Sequence, residues 1–147
     1  MPMELKIAKA HEQQLADPDI KLEFEGIRNM LNNTNLSFVD GRINFVLVKG
    51  IYVHAERKMV TACLFVNKLD KPVRELHGVL RLAFQEKQAQ IAKTTVNFDE
   101  PFMGVINPNE ALLVHLGIPV RGLEADEAFS VGHLHGRFEE VRVSFAE

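Results

Sequence analysis

Between Ile43 and Phe98 the chain passes through four stretches rich in Val, Ile, Phe, Thr and Leu, and no other feature limits the fold as much. INFVLVKGIYVHAE, MVTACLFVNK, LHGVLRLAF and QAQIAKTTVNF are broken at Glu56-Arg57-Lys58, Leu69-Asp70-Lys71-Pro72 and Gln85-Glu86-Lys87. Short strands at even spacing with polar turns describe an antiparallel sandwich or barrel. In the third stretch Leu76, Gly78, Leu80, Leu82 and Phe84 share one face, opposite Glu75, His77, Val79, Arg81 and Gln85, so one side meets a core and the other meets water. The second stretch is apolar on both faces: Val60, Ala62, Leu64 and Val66 on one, Met59, Thr61, Cys63 and Phe65 on the other. Such a strand belongs in the middle of a sheet, covered on both sides.

A cover is available upstream. Ile20, Phe24, Ile27 and Leu31 recur at helical spacing, Asp17 caps, Pro18 suits the first position, and Asp19 and Glu23 favour the positive end of the helix dipole. This predicts one amphipathic helix over 17–34, stopped by Asn32-Asn33-Thr34-Asn35. Residues 1–16 fit a helix, a strand or a loose segment equally. Asp40-Gly41 suits a tight hairpin between Leu36–Val39 and Ile43–Val48. ALLVHLGIPV reads as a further strand with Pro119 at or past its end, RGLEADEA as a polar linker, and the tail from Phe129 as one or two strands with Val141, Val143 and Phe145 inward. The expectation is a single domain, residues 1–147, in which a helical N-terminal segment (1–35) precedes a sandwich of about seven strands (36–147).

Bulk properties narrow the function classes. A chain of 147 residues can bury a core of its own. A net charge of -3 gives no basic footprint for nucleic acid. Cys63 is the single cysteine, so no intramolecular disulfide ties the protein to an oxidising compartment. The N-terminal residues hold no apolar signal core, and no run approaches the roughly 18 apolar residues of a membrane span. These features predict a cytoplasmic protein without a membrane span.

The strand Val60-Thr61-Ala62 to Val66-Asn67, the turn Asp70-Lys71-Pro72-Val73 and the later strand Asn109–Val120 resemble the SLAP domain over about residues 43–120. That domain occurs in Firmicute proteins, some associated with S-layer assembly. The resemblance implies an immunoglobulin-like sandwich with a helix ahead of the strands, and it implies no catalytic residue.

One run invites a chemical reading. His133-Leu134-His135 with Glu139 has the H-x-H-x-x-x-E spacing of the cupin metal run, and in a strand residues two apart share a face. A small metal-binding protein or metal-dependent enzyme, holding a divalent metal on His133, His135 and Glu139 and completed by His115 or His77, is therefore the alternative reading. In the other reading, both histidines lie on the solvent side of a terminal strand, with Gly132 and Gly136 marking a bend or bulge. Cys63, mid-strand among apolar neighbours, reads as buried and inert. His54 and His115, within apolar strands, read as satisfied by backbone carbonyls. Glu124, Asp126 and Glu127, with Asp99 and Glu100, form an acidic group that reads as solvated loop. No complete catalytic constellation is present in the sequence. The function expected is a non-catalytic protein-interaction module, binding a protein partner or a second copy through a sheet edge or face. The two-faced second strand and Phe102-Met103 are the grounds for expecting a homodimer.

Overall fold

The computed structural model describes residues 3–33 and 37–146. In chain order these form β1 (Glu4–Ile7), a 3-10 segment (Lys9–Ala16), α1 (Pro18–Asn33), β2 (Ile43–Val53), β3 (Lys58–Asn67), β4 (Val73–Phe84), β5 (Gln90–Ile91) and β6 (Thr94–Phe98). There follow α2 (Glu100–Met103), β7 (Glu110–Arg121), β8 (Glu127–Ser130), a 3-10 turn (Val131–His133) and β9 (Leu134–Phe145). The larger sheet has the order β1-β7-β3-β2-β8, with β5 alongside the far end of β7, and the smaller has the order β6-β4-β9. Their inner faces pack as a mainly β sandwich, the architecture the strand spacing predicts. All pairings are antiparallel except β1 with β7, which is parallel.

The inner core joins Met59, Cys63 and Phe65 of β3 to Leu76, Leu80 and Leu82 of β4 and to Leu112, Val114 and Ile118 of β7. Phe65 stands at its centre, edge-on to Phe98 at 5.6 Å and to Phe138 at 5.1 Å. Two glycines permit this density. A Cβ on Gly78 would lie 2.5 Å from the Phe138 ring, and one on Gly136 would lie 2.7 Å from the Phe45 ring. Gly136 therefore marks close ring packing in regular register with Leu82, not the bulge its flanking position suggests.

A second core lies on the opposite side of the larger sheet. Phe24, Ile27 and Leu31 of α1 cover Ala62, Leu64 and Val66 of β3 and Ala111 and Leu113 of β7, together with Leu5 and Ile7 of β1. Each buried helix side chain contributes roughly 2 kcal/mol of transfer free energy, far more than the intrinsic propensity of a 16-residue helix. The predicted cover thus exists, and β3 is central and buried on both faces along Thr61–Asn67. The cap is as expected: Asp19 N donates to Asp17 Oδ1 at 2.8 Å. Thr34, the expected last residue of the helix, and Leu36, the expected start of a first strand, lie outside the described residues.

Four local expectations change. QAQIAKTTVNF is two strands, because the chain crosses between sheets at Ala92-Lys93: Gln90 and Ile91 pair with β7, while Thr94 onward pairs with β4. β7 continues through Pro119 to Arg121. Val120 N donates toward β3, to Arg57 O, and Pro119 faces the other way, where only its carbonyl is needed, accepting from Ala92 N at 2.9 Å. Ser37–Val39 form no hairpin strand, since Val39 N and O are taken up by the side-chain amide of Asn44, both at 2.9 Å. In β9 a bulge at Glu140, whose φ is 54°, breaks the alternation. Val143 packs on the core, but Val141 and Phe145 are exposed.

Asn67 fastens the loops at one end of the sandwich. It is fully buried, its Nδ2 donates to Lys71 O at 3.1 Å and Ile106 O at 2.9 Å, and its Oδ1 accepts from Leu69 N at 2.9 Å. The Asp70-Lys71-Pro72 turn and the loop before β7 are thereby tied to the end of β3.

Candidate functional site

The structure does not bring the His133-His135-Glu139 run together as a ligand set. His133 belongs to the 3-10 turn, where its Nδ1 lies 3.2 Å from both Ser130 N and Ser130 Oγ. His135 is on β9, opposite Ala83. Glu139 is held by Arg81, whose Nε donates to Oε1 at 2.6 Å, with Arg137 at 3.8 Å on the other oxygen. His77 is spoken for by Asn97 at 2.9 Å, and His115 is on the larger sheet. Among the described residues no three His, Cys, Asp or Glu side chains gather as a metal would need. His133 and His135 do not share a strand face, because β9 begins only at Leu134, after the first histidine.

The remaining candidates are dispersed too. Burial pushes the Cys63 thiol up to about 12, against a smaller opposing effect of its hydrogen bond to Thr61. Asp126 accepts from His54 N at 2.8 Å, Glu127 pairs with Lys87 at 3.3 Å, and Asp99 caps α2 through Phe102 N. The acidic group is thus distributed over separate structural roles. His54 binds the Tyr52 hydroxyl through Nδ1 at 3.0 Å. Met103 is buried, and Phe102 packs between Phe98 and His11. Neither they nor the covered length of β3 offers the free apolar surface expected for a dimer.

His115 is satisfied by a carboxylate, not by a backbone carbonyl. Its Nε2 lies 2.5 Å from Glu23 Oε1, and Lys49 Nζ lies 2.7 Å from Glu23 Oε2. One half-buried carboxylate on α1 is therefore gripped from β2 and from β7. Burial alone raises the Glu23 carboxyl, but the hydrogen bonds from Lys49 and His115 outweigh it and hold it below the usual carboxylate range. The sequence carried a signal for this: Glu23 is three residues after Ile20 and four before Ile27, a charge on the buried stripe.

A continuous free apolar row lies just beyond that grip. Ala128 of β8, Ile51 of β2, Val60 of β3 and Gly117 of β7 are direct cross-strand neighbours and form one row across four strands. All four are exposed on the outer face of the larger sheet, Ile51 at 46% and Val60 at 44%. Two residues along the strands on one side, Lys49, Ala62 and His115 lie beneath the first turns of α1; two residues along on the other lie Val53, Lys58 and Pro119. The helix stops short of the row because it runs along the strands: Glu23 is at His115, while Asn32 accepts from Met3 N beside the Glu4–Glu110 pair. Val60 is the apolar residue of its β3 face left bare, next to the exposed Lys58, while Ala62, Leu64 and Val66 are buried.

The long free edge of β9 is less open to a partner. Arg137, Glu139, Glu140 and Arg142 line it and the Glu140 bulge interrupts it, two devices that discourage strand addition. Among the described residues no helix is long and apolar enough to cross a membrane. No family model, no curated protein and no solved structure matches the chain.

Proposed function

We propose that this chain is a protein-interaction module that binds through the outer face of its larger sheet. The carrying observation is the bare row Ala128–Ile51–Val60–Gly117, an apolar strip beside the part of the same face that α1 covers. Such a strip loses hydration when a flat apolar partner surface covers it, and the Lys49–Glu23–His115 network and Lys58 at its flanks supply a polar rim. The smaller sheet is a poorer candidate, because Arg81–Glu139 and His77–Asn97 already satisfy one another across its outer side. A cytoplasmic setting belongs to the same reading, supported by the lone, buried thiol. So does the SLAP-like character, with Asn67 and the Asp70-Lys71-Pro72 turn it anchors as the residues that carry it.

The test is site-specific photocrosslinking in host extract. A photoreactive residue at position 51 captures discrete protein species, a second copy of the chain included, and one at the exposed Lys93 does not. Equal, diffuse capture at both positions would sink the proposal.

A further inference from the structure

We infer that the occupant of the bare row is a second copy of this chain, docked face to face about a two-fold axis that runs along the row. This rests on the interaction-module reading and names its partner.

Two observations choose the partner and the axis. The first is steric. α1 stands on the same face immediately beside the row, with a diameter of about 10 Å, while two sheets pack about 10 Å apart. A partner sheet can reach Ile51 and Val60 only if its own raised element falls elsewhere. A two-fold along the row arranges this: it reverses the direction along the strands, so each helix lies beyond the partner's row, against the partner's β2–β3 turn. An axis along the strands would set helix on helix and hold the two rows apart.

The second is charge. The helix end that would meet the partner carries Asp17 and Asp19 with Lys21, and Glu23 is already held by Lys49 and His115. Around the turn it would meet, Arg57, Lys58 and Arg121, the last on the same β7 face as Gly117, outnumber Glu56 and Asp126, which is held on His54 N at 2.8 Å. The acidic excess of one faces the basic excess of the other, and the two-fold makes the match twice. Lys58 is already laid across this face, its Cδ within 3.9 Å of where a Gly117 Cβ would stand.

Size decides how much each part contributes. Three interstrand steps of about 4.8 Å make the row roughly 14 Å wide, well short of the roughly 800 Å² that a standard interface buries per partner. The sheet contact needs the two helix–turn contacts, and the dimer is a reversible one.

Sedimentation velocity and light scattering over a concentration series test this. Wild type is expected to shift from monomer to dimer as concentration rises. Val60→Asp is expected to abolish the shift with an unchanged thermal midpoint, because Val60 is outside both cores. Lys58→Glu is expected to raise the dimer dissociation constant about ten-fold, and adding Asp19→Lys to it to recover most of the loss. That recovery is specific to this axis. A wild type that stays monomeric at the highest soluble concentration overturns the inference, as does a dimer indifferent to Val60→Asp or one that Asp19→Lys fails to rescue. If wild type is monomeric but residue 51 still crosslinks a foreign protein, only the self-pairing fails. If neither occurs, the interaction reading fails with it.

Discussion

Replacing Asn67 by alanine removes three hydrogen bonds from a fully buried position: those to Lys71 O and Ile106 O and the one from Leu69 N. Ile106 O keeps Val73 N at 2.9 Å, so the lasting damage falls on Lys71 O and Leu69 N. At about 1 kcal/mol net for each bond, the loss is about 3 kcal/mol, with a further fraction for the space the amide leaves. For a domain near 150 residues this lowers the melting midpoint by roughly 6–12 °C. Asn67→Asp separates hydrogen bonding from shape. It keeps the acceptor for Leu69 N but turns an ionised oxygen toward two carbonyls, so at neutral pH it destabilises more than alanine does. Protonation restores one donor, so its deficit shrinks as pH falls into the carboxylic-acid range. Calorimetry of both variants, with hydrogen exchange at Leu69, measures this. A midpoint within about 3 °C of wild type for Asn67→Ala, a loss near 1 kcal/mol, would refute the claim that this amide holds the two loops.

Three further outcomes follow from single contacts. Glu23, whose carboxyl is held below its ordinary 4.5, adds stability that is fully present above that value and fades as pH falls below it toward the lowered folded value. Urea midpoints of wild type and Glu23→Gln should therefore converge on acidification below 4.5, and a gap independent of pH would contradict the ion grip. Cys63, buried and pushed up to about 12, should resist iodoacetamide in the native protein at mildly alkaline pH and react once the chain is unfolded in urea. Rapid native labelling would place the thiol outside the core. Gly78→Ala puts a methyl 2.5 Å from the Phe138 ring, an overpacking that costs about 1–3 kcal/mol, read as a lower denaturation midpoint; Phe138→Leu beside it should recover part of the loss.

The layers of the fold were legible because periodicity reports burial. The alternation of β4 and the stripe of α1 are each set by one element facing one core, and β3, apolar on both faces, demanded two covers and has them. Sheet membership was not legible. Nothing in QAQIAKTTVNF marks the crossing at Ala92-Lys93, since both halves satisfy the same local preference and only pairing with β7 or β4 separates them. The histidine run misled for a related reason. A spacing of two means a shared face only inside a strand, and Val131–His133 is a helical turn.

The bare row was hidden more deeply. Ile51, Val60, Gly117 and Ala128 are ordinary strand residues in sequence, and Val60 shares its face with three residues that α1 buries. What separates Val60 from Ala62 is how far α1 covers the sheet, and Glu23 is held beside that limit by Lys49 and His115. Its carboxylate draws in Lys49 and His115 one row short of Ile51 and Val60, and charges there favour water or one another over an apolar neighbour. An extension by one further turn would add Gln14 to Asp17, but Asp17 instead ends the helix as its cap. The acidic start of α1 therefore does two things: it caps the helix, and it leaves a four-strand apolar strip open beside it. Under the proposed reading, that strip, bordered by polar residues of the helix beside it, is the contact surface.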